Sequence, residues 1–235
     1  MSEYGLVLCG GGGRGAYQVG VWKALISAGI AESITGFSGA SVGALNAALF
    51  ATTTAEEAEK VWESISQSVI ADPMDAIEKV IGSAIKYVKS EDKSITKERI
   101  SGAINSGLFS REGLIDLIEG HDINTRLSRV RVPCFACCTN TETGKADYFD
   151  MRAYSPETIT KILIASSAIP AVFPPEKIGN VSYRDGGIKD NCPIKPLYNA
   201  GYRRFIVSYL GEDTADRSEF PDAEFIELVP SEKIY

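Results

Sequence analysis

The 235-residue chain contains a single histidine, His121. A serine nucleophile served by histidine would have this one residue as its base, and His121 stands in Glu119-Gly120-His121-Asp122, a solvated position just past an expected helix end. A Ser-His-Asp triad of the α/β-hydrolase kind places its histidine last in the chain, after the acid. Nothing beyond His121 can fill that place. Long apolar runs are also missing: no stretch approaches the ~18 residues a spanning helix needs. The start, Met1-Ser2-Glu3-Tyr4, has no basic segment, and Leu6–Cys9 is too short for the apolar core of a signal peptide. The expectation is a cytoplasmic protein, with export by a route that reads no N-terminal signal left open. Basic residues are outnumbered, 24 Lys and Arg against 31 Asp and Glu, for a net charge of −7. Nucleic acid is not an expected partner, since phosphate-backbone affinity comes from clustered Lys and Arg.

Cysteine is sparse, five in all, an odd count without the spacing of a disulfide framework. Cys134-x-x-Cys137-Cys138 invites a metal reading. Strand alternation, however, points Cys134 and Cys138 one way and Cys137 the other, and a closed zinc site needs four ligands. Buried small hydrophobes account better for these thiols, and no metal or cofactor is expected.

What is present is an ordinary globular composition, 44% hydrophobic and 23% charged, in a chain long enough to bury a core without staples. Strand and helix patterns alternate. Tyr4–Cys9 reads as a buried strand and Gly10–Gly15 as a tight loop. Ala16–Ala28 is a helix ended by Gly29, with Val19, Trp22, Leu25 and Ile26 as its apolar stripe. Ser33–Ser38 is a second strand, and helices follow over Val42–Phe50 and Ala55–Val69. Pro73 opens a further helix whose apolar face carries Met74, Ile77, Val80, Ile81, Ile85 and Val88. The stretch from Lys86 to Arg99 after it is the most basic in the chain. Ser110 caps a helix through Leu117. Val130–Thr139 is a strand with Lys145–Met151 as its hairpin partner, and Ser155-Pro156-Glu157 starts a helix to about Ser167. Val181–Arg184, Arg204–Leu210 and Glu224–Val229 complete the strands. The β-α-β opening argues for one α/β domain over residues 1–235 with a largely parallel sheet.

Two glycine-rich turns carry chemistry. Gly39-Ala40-Ser41-Val42-Gly43 is a G-x-S-x-G string between strand and helix, where a sharp turn lifts a serine oxygen off the sheet. The helix from Val42 aims free N–H groups and a positive dipole end at the same spot. A small-residue packing turn fits the same string. Gly10-Gly11-Gly12-Gly13-Arg14-Gly15 leaves a row of N–H donors unobstructed, suited to an oxyanion or a phosphate. A dinucleotide reading needs an acid at the end of the second strand. Glu32 instead precedes that strand, and the Ser41 turn occupies its end. Arg14 opposes the helix dipole, so it is a solvated surface arginine, a brace for the glycine loop or a contact for an anionic head group. With histidine discounted, the base is a carboxylate. Asp185, in Arg184-Asp185-Gly186-Gly187, follows a strand at a turn that leaves it open to a neighbour, although Asp-Gly is also a common turn pair.

Together these motifs resemble the patatin-like phospholipase family: a glycine-rich loop at Gly10–Gly15, the serine turn at Gly39–Gly43 and Asp185–Gly187, in that order. Ala165-Ser166-Ser167-Ala168-Ile169-Pro170 with Phe173-Pro174-Pro175, and Asn191-Cys192-Pro193, are similar to the family as well. The likeness runs from about Gly5 to Leu210. It implies a three-layer α/β/α sandwich and a Ser41–Asp185 dyad working through an acyl-enzyme, with oxyanion donors from Gly11, Gly12, Gly13 and Val42. Arg14, Gly15, Gly39, Gly43, Gly186 and Gly187 would support them. The implied substrate is a lipid or fatty-acyl ester, of phospholipase A or lysophospholipase type, with peripheral membrane contact. A thioesterase or small-ester esterase is the alternative within enzymes, and a lipid-binding module without turnover the alternative outside them. The apolar face of Met74–Val88 is then either core or a lid over the acyl pocket, within a cap region at 72–105.

Overall fold

A computed structural model describes residues 3–69, 111–170, 173–211, 214–232 and 234. The expected helix from Pro73, the basic stretch after it, the lid and the Ser110 cap lie outside these residues. The first elements are β1 (Tyr4–Leu8), α1 (Ala16–Ser27), β2 (Ile34–Ala40), α2 (Val42–Thr52) and α3 (Ala55–Val69), with a short 3₁₀ turn at Gly12–Gly15. Then come α4 (Arg111–Gly120), α5 (Ile123–Leu127), β3 (Cys134–Asn140), β4 (Ala146–Asp150) and α6 (Pro156–Ser166). The last are β5 (Glu176–Ile178), β6 (Val181–Asp185), α7 (Lys195–Asn199), β7 (Arg204–Ser208) and β8 (Glu224–Leu228).

Local chemistry explains most of the boundaries. Gly29 follows α1 at φ +69°, a left-handed stop that suits glycine. Thr54 and Glu57 form a reciprocal capping box ahead of α3, with Glu57 N donating to Thr54 Oγ1 at 3.2 Å and Thr54 N to Glu57 Oε2 at 3.3 Å. Ser155 caps α6 by accepting from Thr158 N at 3.3 Å, with Pro156 as the first helical residue. One expectation needs correction: the third strand starts at Cys134, not Val130. Pro133 has no N–H to give a ladder, and only its carbonyl is engaged, by Phe37 N at 2.8 Å.

The strands form one sheet in the order β5-β6-β3-β2-β1-β7-β8, with β4 also on β3. The β3-β2-β1-β7-β8 run is parallel, and β4, β6 and β5 join antiparallel. The pleat sorts the core into two layers. Leu6, Leu8, Phe37, Cys134, Cys138 and Ile206 face a large cluster under α1–α6. Val7, Cys9, Phe205, Val207 and Tyr209 face a smaller one with Ile194, Leu197 and Phe220, near α7. The result is a lopsided α/β/α sandwich. Its central helix is α2, whose residues from Val42 to Phe50 are all buried. Trp22 stacks on Phe50 at 5.3 Å and meets Phe37 edge-on at 5.9 Å, closing α1 over that helix.

The register on β3 positions the site. Along one edge, β2 pairs Phe37 to Ala40 with Cys134 to Cys137. β4 overlaps the same stretch and so takes the opposite edge. From Cys138 onward the first edge belongs to β6, which runs the other way and pairs Cys138 with Asp185. Neighbouring residues of β3 thus hold Ala40, the residue before Ser41, and Asp185, the last residue of its strand.

Candidate active site

The turn after β2 is built from close backbone approaches. A Cβ on Gly39 would sit 2.1 Å from the carbonyl oxygen of Gly43, and one on Gly43 would sit 2.1 Å from that of Leu8. Only hydrogen fits at either place. Between them Ser41 adopts φ 55° and ψ −130°, a region that costs a non-glycine residue about 1–3 kcal/mol and persists where surrounding structure enforces it. The turn delivers Ser41 to the N-terminus of α2. Ser41 is 7% exposed and Asp185 6%, and both border the same cleft.

Asp185 is held by one carboxylate oxygen and free at the other. Oδ1 accepts from Gly187 N at 2.8 Å, whereas Oδ2 is buried without a hydrogen-bond partner among the described residues. Burial raises its pKa from the ordinary 3.8 to about 6, offset in part by the nearby Ser41 hydroxyl and by Gly187 N–H. The hydroxyl is thus close enough to act on the carboxylate, while no formed bond occupies Oδ2. A buried carboxyl group that goes from neutral acid to anion near pH 6, beside a hydroxyl, is suited to take up that hydroxyl's proton.

The glycine loop lies across the cleft. Gly11 and Gly12 border it, and Gly12 carries φ +62°. Gly13 sits in the 3₁₀ turn and is not among the lining residues. Arg14 Nε donates to the Gly11 carbonyl at 3.1 Å, so this cation braces the loop rather than floating in solvent. Val42, first residue of α2, has an N–H with no partner inside its helix. Behind the loop is a fully buried polar network. Gln18 Nε2 donates to Cys9 O at 2.9 Å, Asn46 Nδ2 to Gly15 O at 2.9 Å and to Gln18 Oε1 at 2.8 Å, and Trp62 Nε1 to Asn46 Oδ1 at 2.8 Å.

Two contacts from distant segments were invisible as pairings in the sequence. Ser166 Oγ accepts from Ser41 N at 3.0 Å, so that amide has no proton left to offer a ligand. Asn191 Nδ2 donates to Gly10 O at 3.2 Å while Gly10 N donates to Asn191 O at 3.3 Å, tying the glycine loop to the turn beyond Asp185. Both residues fall in stretches whose sequence stood out, Ala165–Pro170 and Asn191–Pro193. What the sequence could not show is the partner of each.

Ser41 divides two different surroundings. On one side is an apolar pocket with Val42, Leu45, Leu114, Ile164, Ile169 and Phe173 in its walls, and the Arg111–Glu176 ion pair, 2.9 Å long, at its edge. On the other side the cleft is more polar, with Arg14, Lys145, Lys189, Asp190, Lys195 and Glu219 among the residues around it. His121 is exposed at the end of α4 and lines neither. The thiols alternate as the pleat demands. Cys134 and Cys138 are buried in the larger core cluster, and Cys137 Sγ meets Gly186 O at 3.8 Å. Among the described residues, no group of three or more His, Cys, Asp and Glu is placed to hold a metal ion, and no helix is long and apolar enough to cross a membrane.

Comparison with known proteins agrees with this architecture. The chain is 28% identical over 222 residues to patatin-like phospholipase domain-containing protein 7 of Mus musculus, covering 93% of this chain and 14% of that protein. It is 26% identical over 219 residues to lysophospholipase NTE1 of Cryptococcus neoformans, covering 92% of this chain and 12% of that protein. The chain therefore spans about an eighth of the length of these relatives. The crystal structure of VipD from Legionella pneumophila superposes with a TM-score of 0.56 at 18% identity, over 93% of this chain and 52% of that one, a likeness of fold. Residues 6–198 match the family model for patatin-like phospholipase, and the chain belongs to that family.

Proposed function

We propose that this chain is one serine acyl hydrolase domain acting on lipid esters of the phospholipase A or lysophospholipase type, with Ser41 as nucleophile and Asp185 as its base. The observation that carries the reading is the buried Oδ2 of Asp185, without a formed hydrogen bond among the described residues, beside the hydroxyl of a serine held at φ 55° on a helix N-terminus. Asp185 takes the Ser41 proton as Oγ attacks the ester carbonyl. The N–H groups of Gly11, Gly12 and Val42, with Gly13 next in the turn, receive the oxyanion. The alcohol leaves with the proton from Asp185, and an acyl group remains on Ser41. Asp185 then removes a proton from water as that water attacks the acyl-enzyme, and returns the proton to Ser41 Oγ as the acyl–oxygen bond breaks and the fatty acid leaves. The apolar pocket suits the acyl chain and the polar cleft the alcohol that departs. The relatives named as phospholipase and lysophospholipase favour a lipid ester over a small one.

The test is labelling with a fluorophosphonate that carries a long alkyl chain, followed by peptide mass spectrometry. The expected adduct is on Ser41 in the wild type and lost in Ser41→Ala. An adduct elsewhere, or none from folded protein, overturns the assignment. Parallel rates on phospholipid, lysophospholipid, acyl-CoA and short esters then order the substrates.

A further inference from the structure

The C-terminal end of α6 touches both members of the proposed dyad. Ser166, its last residue, is 0% exposed. Its hydroxyl donates to Cys137 O at 2.7 Å and accepts from Ser41 N at 3.0 Å. A hydroxyl has one proton to give, so both bonds have a fixed direction. Two residues on, Ala168 O accepts from Asp185 N at 3.0 Å. The Cys137 carbonyl that Ser166 grips is also where Gly186 rests, so closely that a Cβ there would come within 2.2 Å of it. Of the buried residues before Ser166, Ile159, Ile162, Leu163, Ile164 and Ala165 are apolar, and the one hydroxyl, that of Thr160, accepts from Asn124 Nδ2 at 2.9 Å. Packing alone gives no reason for a hydroxyl at this point.

The Ser41 amide, in turn, has no regular partner available. Strand pairing ends at Ala40, and the bonds of α2 begin with the Ser41 carbonyl, which accepts from Ala44 N at 2.9 Å. Without Ser166 that amide would be a buried donor with nothing to bond. The peptide on its N-terminal side could then rotate, relax the left-handed backbone and carry Oγ away from Asp185.

We propose that Ser166 is a positioning residue for the nucleophile: its hydroxyl locks the Ser41 turn and sets Oγ against Asp185. The inference rests on the Ser41–Asp185 reading. It assigns Ser166 no contact with substrate. Its removal therefore lowers the rate of chemistry rather than the affinity for lipid.

The experiment compares wild type, Ser41→Ala, Ser166→Ala, Ser166→Cys and Ser166→Gly, each checked for folding by circular dichroism. The measurements are kcat, KM and the second-order rate of Ser41 labelling by the long-chain fluorophosphonate across pH. Ser166→Ala is expected to cut kcat and labelling about 10–100-fold, the cost of a misplaced reacting atom, with KM within about two-fold. The acidic limb of its profile moves to higher pH, because Asp185 loses the Ser41 contact that lowers its pKa. Ser166→Gly recovers part of the rate, since the vacated space admits a water that can bond both Ser41 N and Cys137 O. Ser166→Cys keeps the branching with a somewhat larger atom while weakening both bonds, is expected to show the same loss, and carries the test where the alanine variant does not fold. Labelling of Ser41 at the wild-type rate in the Ala or Cys variant overturns the positioning role alone, as does a rise in KM at constant kcat. Wild type that leaves Ser41 unlabelled, or full turnover by Ser41→Ala, overturns the dyad itself.

Discussion

Replacing Asp185 by asparagine is expected to abolish turnover and to make the protein more stable at alkaline pH. Asparagine keeps the shape and can still accept from Gly187 N–H through its carbonyl oxygen. It removes the charge that the fold desolvates. The pKa of Asp185 is raised from 3.8 to about 6 by burial, so the folded state favours the protonated acid. The associated stabilisation is complete below the unfolded value and is lost as pH rises through the folded one. A displacement of about 2 units corresponds to roughly 3 kcal/mol by which the ionised carboxylate weakens the wild type above pH 7. Asp185→Asn escapes that penalty. The gap between the proteins is then about 3 kcal/mol at pH 8, about 2 at pH 5.5 and about 1 at pH 4.5. For a chain of this size, about 3 kcal/mol is a rise in Tm of roughly 6–12 °C. Urea melts of both proteins at these three pH values, at micromolar concentration, give the comparison. Equal stability at pH 8, or a gap that does not narrow on acidification, would refute a desolvated charge at Asp185. With it would go the account of how a carboxylate serves as base here.

Three further outcomes follow from the same geometry. Ser41→Gly relieves a left-handed backbone that glycine adopts freely, so an inactive protein about 1 kcal/mol more stable than wild type is expected in denaturant melts. Equal or lower stability would mean that the turn stores no strain. Trp62→Phe strips Asn46 Oδ1 of its donor inside the buried network. An unpaired buried acceptor costs about 1–3 kcal/mol, readable as a fall in Tm, and an unchanged Tm would show that the network re-forms without the indole. His121→Ala should leave kcat/KM within about three-fold of wild type. The pH–rate profile of both proteins should rise through about pH 6 with Asp185. A loss of orders of magnitude in the histidine variant would refute a carboxylate base.

The catalytic candidates were legible because their signals are local. Gly39-x-Ser41-x-Gly43 and Asp185-Gly186-Gly187 are turns whose chemistry is written in adjacent residues, and the single histidine removed the usual competitor. The opening β-α-β-α order was equally readable from periodicity and from Gly29. What stayed hidden depends on contacts between distant segments. The Ser166–Ser41 bond spans 125 positions and the Asn191–Gly10 bond 181, and no pattern along the chain announces either. The short elements α5, α7 and β5 have only five, five and three residues, too few for a period to emerge. Val130–Pro133 read as strand because the β-branched Val130 and Val132 alternate with Arg131, yet Pro133 cannot donate, and pairing waits for Cys134.

The shared edge of β3 makes this strand a ruler. The gap between Ser41 and Asp185 is counted in peptide repeats from Cys137 to Cys138, not spanned by any loop. A residue added or lost at that point would displace one partner by ~3.3 Å and turn it to the other face of the sheet. Beyond Ala168, whose carbonyl holds Asp185 N, the connection from α6 to β5 meets the site as a wall of the apolar pocket, at Ile169, Phe173 and Pro174. The composition of that wall can change while the ruler keeps its graduation, so on the proposed reading the preference for one ester over another is free to diverge much faster than the chemistry.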